Sequence, residues 1–313
     1  MERSSQIAPK CRILIVSASD TRFFGFLQDM LGSIEPWLAA DNVHLACFDI
    51  GLAHSDRDWL QRKDAMVVAP HAHFGLNSGD YPPALLSFLA RPFLPEYFPG
   101  YDVYLWIDSD VWLQDLAVLT QYAEGALDCG IAIAHEREKG YRFQPWLLGW
   151  TTKHFILGYG PFNAAYLLTR RHLNAGFFAI RNDAPHWAAW AARYEAAIRR
   201  TKALVPHDQF ALNHALHSRP AGAARRLPAR FLDPRCNWIC DRGIPMWNDA
   251  SQAFCKPYAP FEPIGALHLA GPAKRSLYTI RRTGGGAFST YLLRGAAPSA
   301  PALQPPSPLP APT

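Results

Sequence analysis

The segment Tyr101-Asp102-Val103-Tyr104-Leu105-Trp106-Ile107-Asp108-Ser109-Asp110 constrains the fold more than any other stretch of this chain. It reads as a buried strand whose apolar run ends abruptly in two carboxylates, one residue apart. Residues two apart on an extended chain point to the same side. Asp108 and Asp110 can therefore aim together at one cation where the strand surfaces. Oxygen ligands at that spacing suit a hard divalent ion such as Mn²⁺ or Mg²⁺. Such an ion commonly serves to hold phosphate oxygens. An Asp-x-Asp triplet is also found as a solvated turn or a helix cap. The metal reading therefore depends on partners elsewhere in the chain.

The segments before this strand alternate. Arg12–Val16 reads as a first strand, with a polar loop Ser17-Ala18-Ser19-Asp20 behind it. Helical spacing follows over Phe23–Trp37, then a second strand at Val43–Phe48 and a turn at Asp49-Ile50-Gly51. A short helix near Asp56–Arg62 and a third strand at Ala65–Ala69 come next. This pattern predicts an α/β chain with a mostly parallel sheet and helices on its faces. Ligands of such sheets gather at the carboxyl ends of the strands. The loop after Val16 and the Asp pair share that edge. Leu85–Phe98 is helical but broken near Pro92 and Pro95. Later strands are expected at Ile131–Ala134, Leu173–Arg181 and, as the last, Ile264–Leu269, with helices at Pro185–Arg200 and Pro206–His217. The Trp-rich stretch 136–160 has no clear period and reads as a long functional loop or small insertion. Arg230–Ala259 reads as loop-rich. Residues 1–10 are expected as a flexible leader, 11–295 as a single domain, and the Pro- and Ala-rich 296–313 as a disordered tail.

The net charge of +5 fits a polyanionic small ligand or an anionic membrane surface. Nucleic acid is not expected, because Arg225-Arg226 and Arg281-Arg282 are only pairs. The polar N-terminus lacks the apolar core of a signal peptide, and no run approaches the ~18 apolar residues of a membrane span. The chain is expected in the cytoplasm, with peripheral contact to the inner face of the plasma membrane left open. The six Cys are widely scattered, as reduced thiols are. Cys236, Cys240 and Cys255 offer a zinc alternative, but with no obvious fourth ligand. Ten Trp and twelve Tyr suggest either sugar stacking or, more commonly, core packing.

Three further signals accompany the Asp pair. Asn174-Ala175-Gly176 opens a strand with small residues that let a ligand approach the backbone. Asp208-Gln209 stands at a helix start, where Asp208 could equally be a cap. His268-Leu269-Ala270-Gly271-Pro272-Ala273-Lys274 is an imidazole leaving a strand, a glycine turn and a cation. In this order and with these intervals, the set resembles the family-8 glycosyltransferases. These are retaining enzymes of the GT-A fold that use nucleotide sugars. The resemblance covers roughly residues 12–280. The neighbouring family-77 transferases, which share the fold and outcome, are similar around Asn174–Arg181 and Trp187. The customary Pro-Trp after the late motif is missing, since Lys274 is followed by Arg275-Ser276.

The resemblance implies a metal-dependent hexosyltransferase acting from a UDP-sugar on a glycan or lipid-linked acceptor, as in cell-surface polysaccharide biosynthesis. It implies Asp108, Asp110 and His268 as metal ligands, with Mn²⁺ preferred to Mg²⁺ because an imidazole is in the set. It implies Asp20, Arg91, Asn174, Ala175, Gly176, Gly271 and Lys274 as contacts to the nucleotide sugar, and Asp208 and Gln209 as the catalytic pair. Other readings are a sugar nucleotidyltransferase, a non-catalytic binding protein of this fold, and a scaffold working through its tail. The first normally has a Gly-rich loop after the first strand, and Ser17-Ala18-Ser19-Asp20-Thr21 has none.

Overall fold

The structure is a computed structural model that describes residues 11–202, 207–219 and 224–298. The expected leader lies outside the described residues, as does nearly all of the expected tail. In chain order the elements begin β1 (Ile13–Ser19), α1 (Phe24–Ser33), α2 (Glu35–Leu38), β2 (Val43–Asp49), α3 (His54–Gln61) and β3 (Met66–Val68). They continue α4 (Pro83–Ala90), α5 (Leu94–Tyr97), β4 (Val103–Ile107), β5 (Val111–Leu113), α6 (Ala117–Cys129) and β6 (Ile131–His135). Next come α7 (Pro145–Tyr159), α8 (Pro161–Leu168), β7 (Leu173–Arg181), α9 (His186–Thr201) and α10 (His207–His217). Short strands β8 (Arg230–Leu232), β9 (Trp238–Ile239), β10 (Met246–Asn248), β11 (Ala253–Cys255) and β12 (Ala266–His268) follow, then β13 (Tyr278–Arg281) and β14 (Ala287–Thr290).

The central seven-stranded sheet runs β3-β2-β1-β4-β7-β6-β8. β1, β2, β3 and β4 are mutually parallel, as is the β6–β8 pair, whereas β7 runs antiparallel to both β4 and β6. This is the mixed, mostly parallel sheet that the strand–helix alternation predicts. Its strands read as unbroken apolar runs because both faces are covered. Ile13 and Ile15 of β1 pack with Leu27, Met30 and Leu31 of α1 on one face. Leu14 and Val16 lie on the other, in one core with Leu89 of α4 and Trp190 and Tyr194 of α9. A third core, around Trp112, Trp238, Trp247 and Phe254, joins β5 to the C-terminal strands.

Two expectations are corrected. The stretch 136–160 is not a loop: α7 fills most of it, and α8 folds back beside it. Helix α7 is apolar nearly all round, so it has no visible 3.6-residue stripe to announce it. The strand ending at His268 is not the last, since β13 and β14 form an antiparallel hairpin after it. The break near Pro92 is confirmed as a 3₁₀ turn, Arg91–Phe93. No helix among the described residues is long and apolar enough to cross a membrane.

Two core histidines set a pH limit on stability. His186 and His214 are 1% and 5% exposed, and each Nδ1 is buried without a hydrogen-bond partner among the described residues. Burial pushes both down from 6.5 to about 4. Between those values the unfolded chain binds protons that the folded chain refuses, so stability is lost as pH falls through that window. The expected loss is on the order of 3 kcal/mol per histidine once the whole window is crossed. Urea denaturation across this range checks it, and a His186→Gln/His214→Gln variant should flatten the slope.

Candidate active site

The sheet's connectivity brings the motifs together. β7 is antiparallel to β4, so Asn174-Ala175-Gly176 at the start of β7 meets the carboxyl end of β4. The Asp108 N–H donates to the Gly176 carbonyl at 2.8 Å. β5 then leads the chain away and pairs antiparallel with β12, which sets His268 opposite Val111, beside Asp110. Helix α10 starts at His207, so Asp208 and Gln209 occupy its first turn.

His268 Nε2 lies 3.5 Å from Asp110 Oδ1 and 4.0 Å from Asp108 Oδ2. One ligand atom from each of the three lies within 4.8 Å of the others. Ligands about 2.1 Å from an octahedral ion are ~3 Å apart when adjacent and ~4.2 Å apart when opposite, so these separations fit a small divalent cation. The surroundings leave the correct atoms free. Asp108 Oδ1 accepts from Arg91 Nη2 at 2.6 Å and from Trp106 Nε1 at 2.7 Å, which leaves Oδ2 facing His268. His268 Nδ1 pairs with Asn237 Oδ1 at 3.1 Å, which ties that edge of the ring to the amide and leaves Nε2 facing the two carboxylates, where a metal would bind. Gly176 is fixed by crowding. A Cβ there would stand 2.5 Å from His268 Cε1 and 2.7 Å from Asp108 Oδ2, so no side chain fits.

A relay of amides extends behind the imidazole. Asn237 Nδ2 donates to Asn174 Oδ1 at 3.0 Å, and Asn174 Nδ2 donates to Glu136 Oε1 at 2.9 Å. Arg242 then pairs with Glu136 Oε2 at 2.6 Å. Burial works against the Glu136 carboxylate, but His172, Arg242 and the Asn174 amide hold it below the ordinary range. The Asn174 amide is thus engaged at both ends, and its Oδ1 also accepts from the Gly176 N–H at 2.9 Å.

Lys274 comes from a 3₁₀ turn, Gly271–Arg275, opened by Gly271 at a φ of +60°. Its Nζ lies 2.6 Å from Asp110 Oδ2. Burial would raise the Asp110 carboxyl, yet His268 and Lys274 outweigh it and hold it below the usual range. Arg91, 5% exposed, forks between Asp108 and Asp208, with Nη1 2.6 Å from Asp208 Oδ2. Its guanidinium lies 4.5 Å from the Trp106 ring centre, and its buried Nε has no hydrogen-bond partner among the described residues. Burial raises the Asp208 carboxyl above the ordinary range despite Arg91, helped by nearby Asp108. The Gln209 amide is fixed at both ends, accepting from the Ala175 N–H at 2.9 Å and pairing through Nε2 with His172 at 3.0 Å.

Asp108, Asp110, His268, Lys274, Gly271, Arg91, Asn174, Gly176, Asp208 and Gln209 all line one cleft. Ala175 is buried next to it. Asp20 does not line the cleft. It follows β1, where Arg22 pairs with its Oδ2 at 2.6 Å and the Phe23 N–H donates to its Oδ1 at 3.0 Å. The cleft also takes Phe88, Trp150 and Phe210, which no motif announced. Asn237 had no signal in its spacing, and Glu136 and Trp150 sit in the stretch without a period. Cys236, Cys240 and Cys255 are buried free thiols and form no metal cluster; among the described residues only Asp108, Asp110 and His268 form such a group. Burial pushes Cys236 up to about 12 and Cys255 up to about 11.

No protein-family model matches the chain, and no curated protein is significantly similar to it in sequence. Solved structures with a similar fold include several glycosyltransferases. The galactosyltransferase LgtC, in complex with donor and acceptor sugar analogues, is 16% identical with a TM-score of 0.49, covering 83% of this chain and 88% of its own. The bifunctional glycosyltransferase WbbM is 13% identical with a TM-score of 0.49, covering 84% of this chain and 46% of its own. Mouse xyloside xylosyltransferase 1 is 12% identical with a TM-score of 0.47, covering 82% of this chain and 97% of its own.

Proposed function

We propose that this chain is a metal-dependent retaining hexosyltransferase that takes its sugar from a UDP-sugar and places it on a hydroxyl of a glycan or lipid-linked acceptor. The observation that carries the reading is the convergence of Asp108, Asp110 and His268 beside Lys274 and the Asp208-Gln209 pair in one cleft. Asp108 Oδ2, Asp110 and His268 Nε2 would hold Mn²⁺ or Mg²⁺, which supplies positive charge to the departing diphosphate. Lys274 adds a second cation there by turning from Asp110 to a phosphate oxygen. Arg91 holds Asp108 and Asp208 in register. Ala175, Gly176 and Gly271 let the donor approach the backbone, while Asn174 supports that cradle through its amide relay. Asp20, at the sheet edge near β1, is assigned to the base of the nucleotide.

Retaining glycosidases use a carboxylate nucleophile. Here the matching group is the Gln209 amide, a poor nucleophile that is tethered by Ala175 and His172. We therefore favour a front-face path. The bond from the anomeric carbon to the phosphate oxygen breaks, the acceptor oxygen bonds to the same face, and its proton passes to the departing phosphate. Gln209 then steadies the oxocarbenium-like carbon, and Asp208 accepts from sugar hydroxyls.

The test is a donor screen that follows Mn²⁺-dependent hydrolysis of UDP-galactose, UDP-glucose and UDP-N-acetyl sugars. One donor is expected to turn over only with metal. Gln209→Ala should lower kcat by about 10²-fold while donor affinity changes little. Absence of metal-dependent binding or turnover with every donor overturns the assignment.

A further inference from the structure

Helix α7 shows the wrong face to solvent. Trp146, Trp150, Lys153 and Leu157 recur at helical spacing along one side, a strip about 16 Å long. The opposite side carries Phe155, Gly158 and Tyr159 and is buried, packed with Ala164 and Leu167 of α8 and Phe210 of α10. A surface helix ordinarily turns polar residues outward. Here Trp146 is 65% exposed, Leu157 47%, Phe143 just before the helix 77%, and Phe162 in α8 91%. So many large apolar side chains on one exposed hairpin mark a contact surface.

Charge identifies what it meets. The hairpin and its flanking segments, residues 139–172, contain Lys139, Arg142, Lys153, Arg170 and Arg171 and no Asp or Glu, so this stretch alone carries a charge of +5, equal to the net charge of the whole chain. All five cations are exposed. Arg199, Arg200 and Lys202 at the end of α9 extend the basic rim, and Arg200 Nε donates to the Leu157 carbonyl at 2.9 Å. Of this rim Arg199 is paired with Glu195; protruding Trp and Phe among the remaining exposed Lys and Arg suit the headgroup region of a bilayer, where indole rings sit at the apolar boundary and cations meet phosphates. A soluble protein partner would have to supply both an apolar pocket and a dense acidic surface.

We propose that the α7–α8 hairpin docks this chain on an anionic phospholipid bilayer, with Trp146, Leu157 and Phe162 in the interface and Lys153 and Arg171 on the lipid phosphates. Trp150 of the same helix lines the cleft, so docking holds the cleft beside the membrane surface. The docking stands apart from the transfer reading. Its use in presenting a lipid-linked acceptor rests on that reading.

The test is flotation of the full chain with vesicles, without donor. Binding is expected to phosphatidylglycerol-containing vesicles, to be much weaker with phosphatidylcholine alone, and to fall in high salt. Trp146→Ser with Phe162→Ser should weaken partitioning by at least about tenfold on either vesicle. Lys153→Gln with Arg171→Gln should remove the preference for anionic lipid. These side chains lie outside the cleft, so metal-dependent donor hydrolysis without vesicles should be unchanged, which separates a failed docking surface from a failed catalytic assignment. As a second readout, brominated lipid should quench tryptophan fluorescence, and Trp146→Phe should reduce that quenching. Equal affinity for both vesicle types, no flotation, or flotation unaltered in the Trp146/Phe162 variant overturns the proposal. So does a concentration-dependent dimer that the same variant abolishes, since the face would then join two copies of the chain.

Discussion

Asp110→Asn is expected to abolish the response to Mn²⁺ while leaving the folded chain in place. The amide keeps the shape of the carboxylate and can still accept from Lys274, which lies 2.6 Å away. It cannot supply the anionic oxygen that faces His268 Nε2 across 3.5 Å. Without metal, the cost to stability should be about 1 kcal/mol. An ion that binds only the folded chain at a hundred times its dissociation constant adds about 2.7 kcal/mol of stability, so the wild-type melting temperature should rise with Mn²⁺ and that of the variant should not. Donor turnover should fall by at least about 100-fold, because losing a direct ligand exceeds the usual cost of losing the group behind one. Thermal melts with and without Mn²⁺, beside a hydrolysis assay, decide it. A variant that still gains stability from Mn²⁺ would remove Asp110 from the ligand set.

Arg91→Met should be the most damaging single change in the cleft. The guanidinium is buried, bridges Asp108 and Asp208 at 2.6 Å each, and lies over Trp106. Removing one partner of a buried ion pair commonly costs about 3–5 kcal/mol, because the other charge is left uncompensated. Here Asp208 has an escape. Burial already raises its carboxyl, so without Arg91 it will take up a proton instead of remaining an isolated anion. Its folded value then rises still further above its unfolded value, and the variant loses further stability as pH rises through the widened gap between them. The variant's deficit against wild type should therefore widen from acid toward neutral pH. Arg91→Lys should not restore the site, since one ammonium cannot span both carboxylates as the planar fork does. Denaturation at several pH values tests this, and a deficit independent of pH would show that Asp208 stays ionised.

Much of the site was legible because its motifs stand at strand ends. An apolar run closing on Asp108-Ser109-Asp110, a strand opening on Asn174-Ala175-Gly176 and a strand closing on His268 each mark a place where buried chain meets solvent. An antiparallel β7 is what sets the second beside the first. What stayed hidden was hidden for two reasons. Helix α7 is apolar on both sides, so periodicity had nothing to detect, and Trp150 went unplaced with it. Asn237 and Glu136 act through amide and carboxylate hydrogen bonds to side chains far away in sequence, and no local pattern encodes a distant partner. The late hairpin of β13 and β14 escaped because its strands are short and largely exposed, with only Ile280 and Thr290 fully inside.

The β5–β12 ladder has a consequence for how the chain matures. It pairs Leu113 with Ala266 and Val111 with His268, residues separated by most of the intervening fold. The entropy of closing so long a loop must be met before the contact rewards it. Until that ladder zips, His268 is absent from the cleft and Lys274 has no Asp110 to meet. A nascent or half-folded chain therefore carries an incomplete centre.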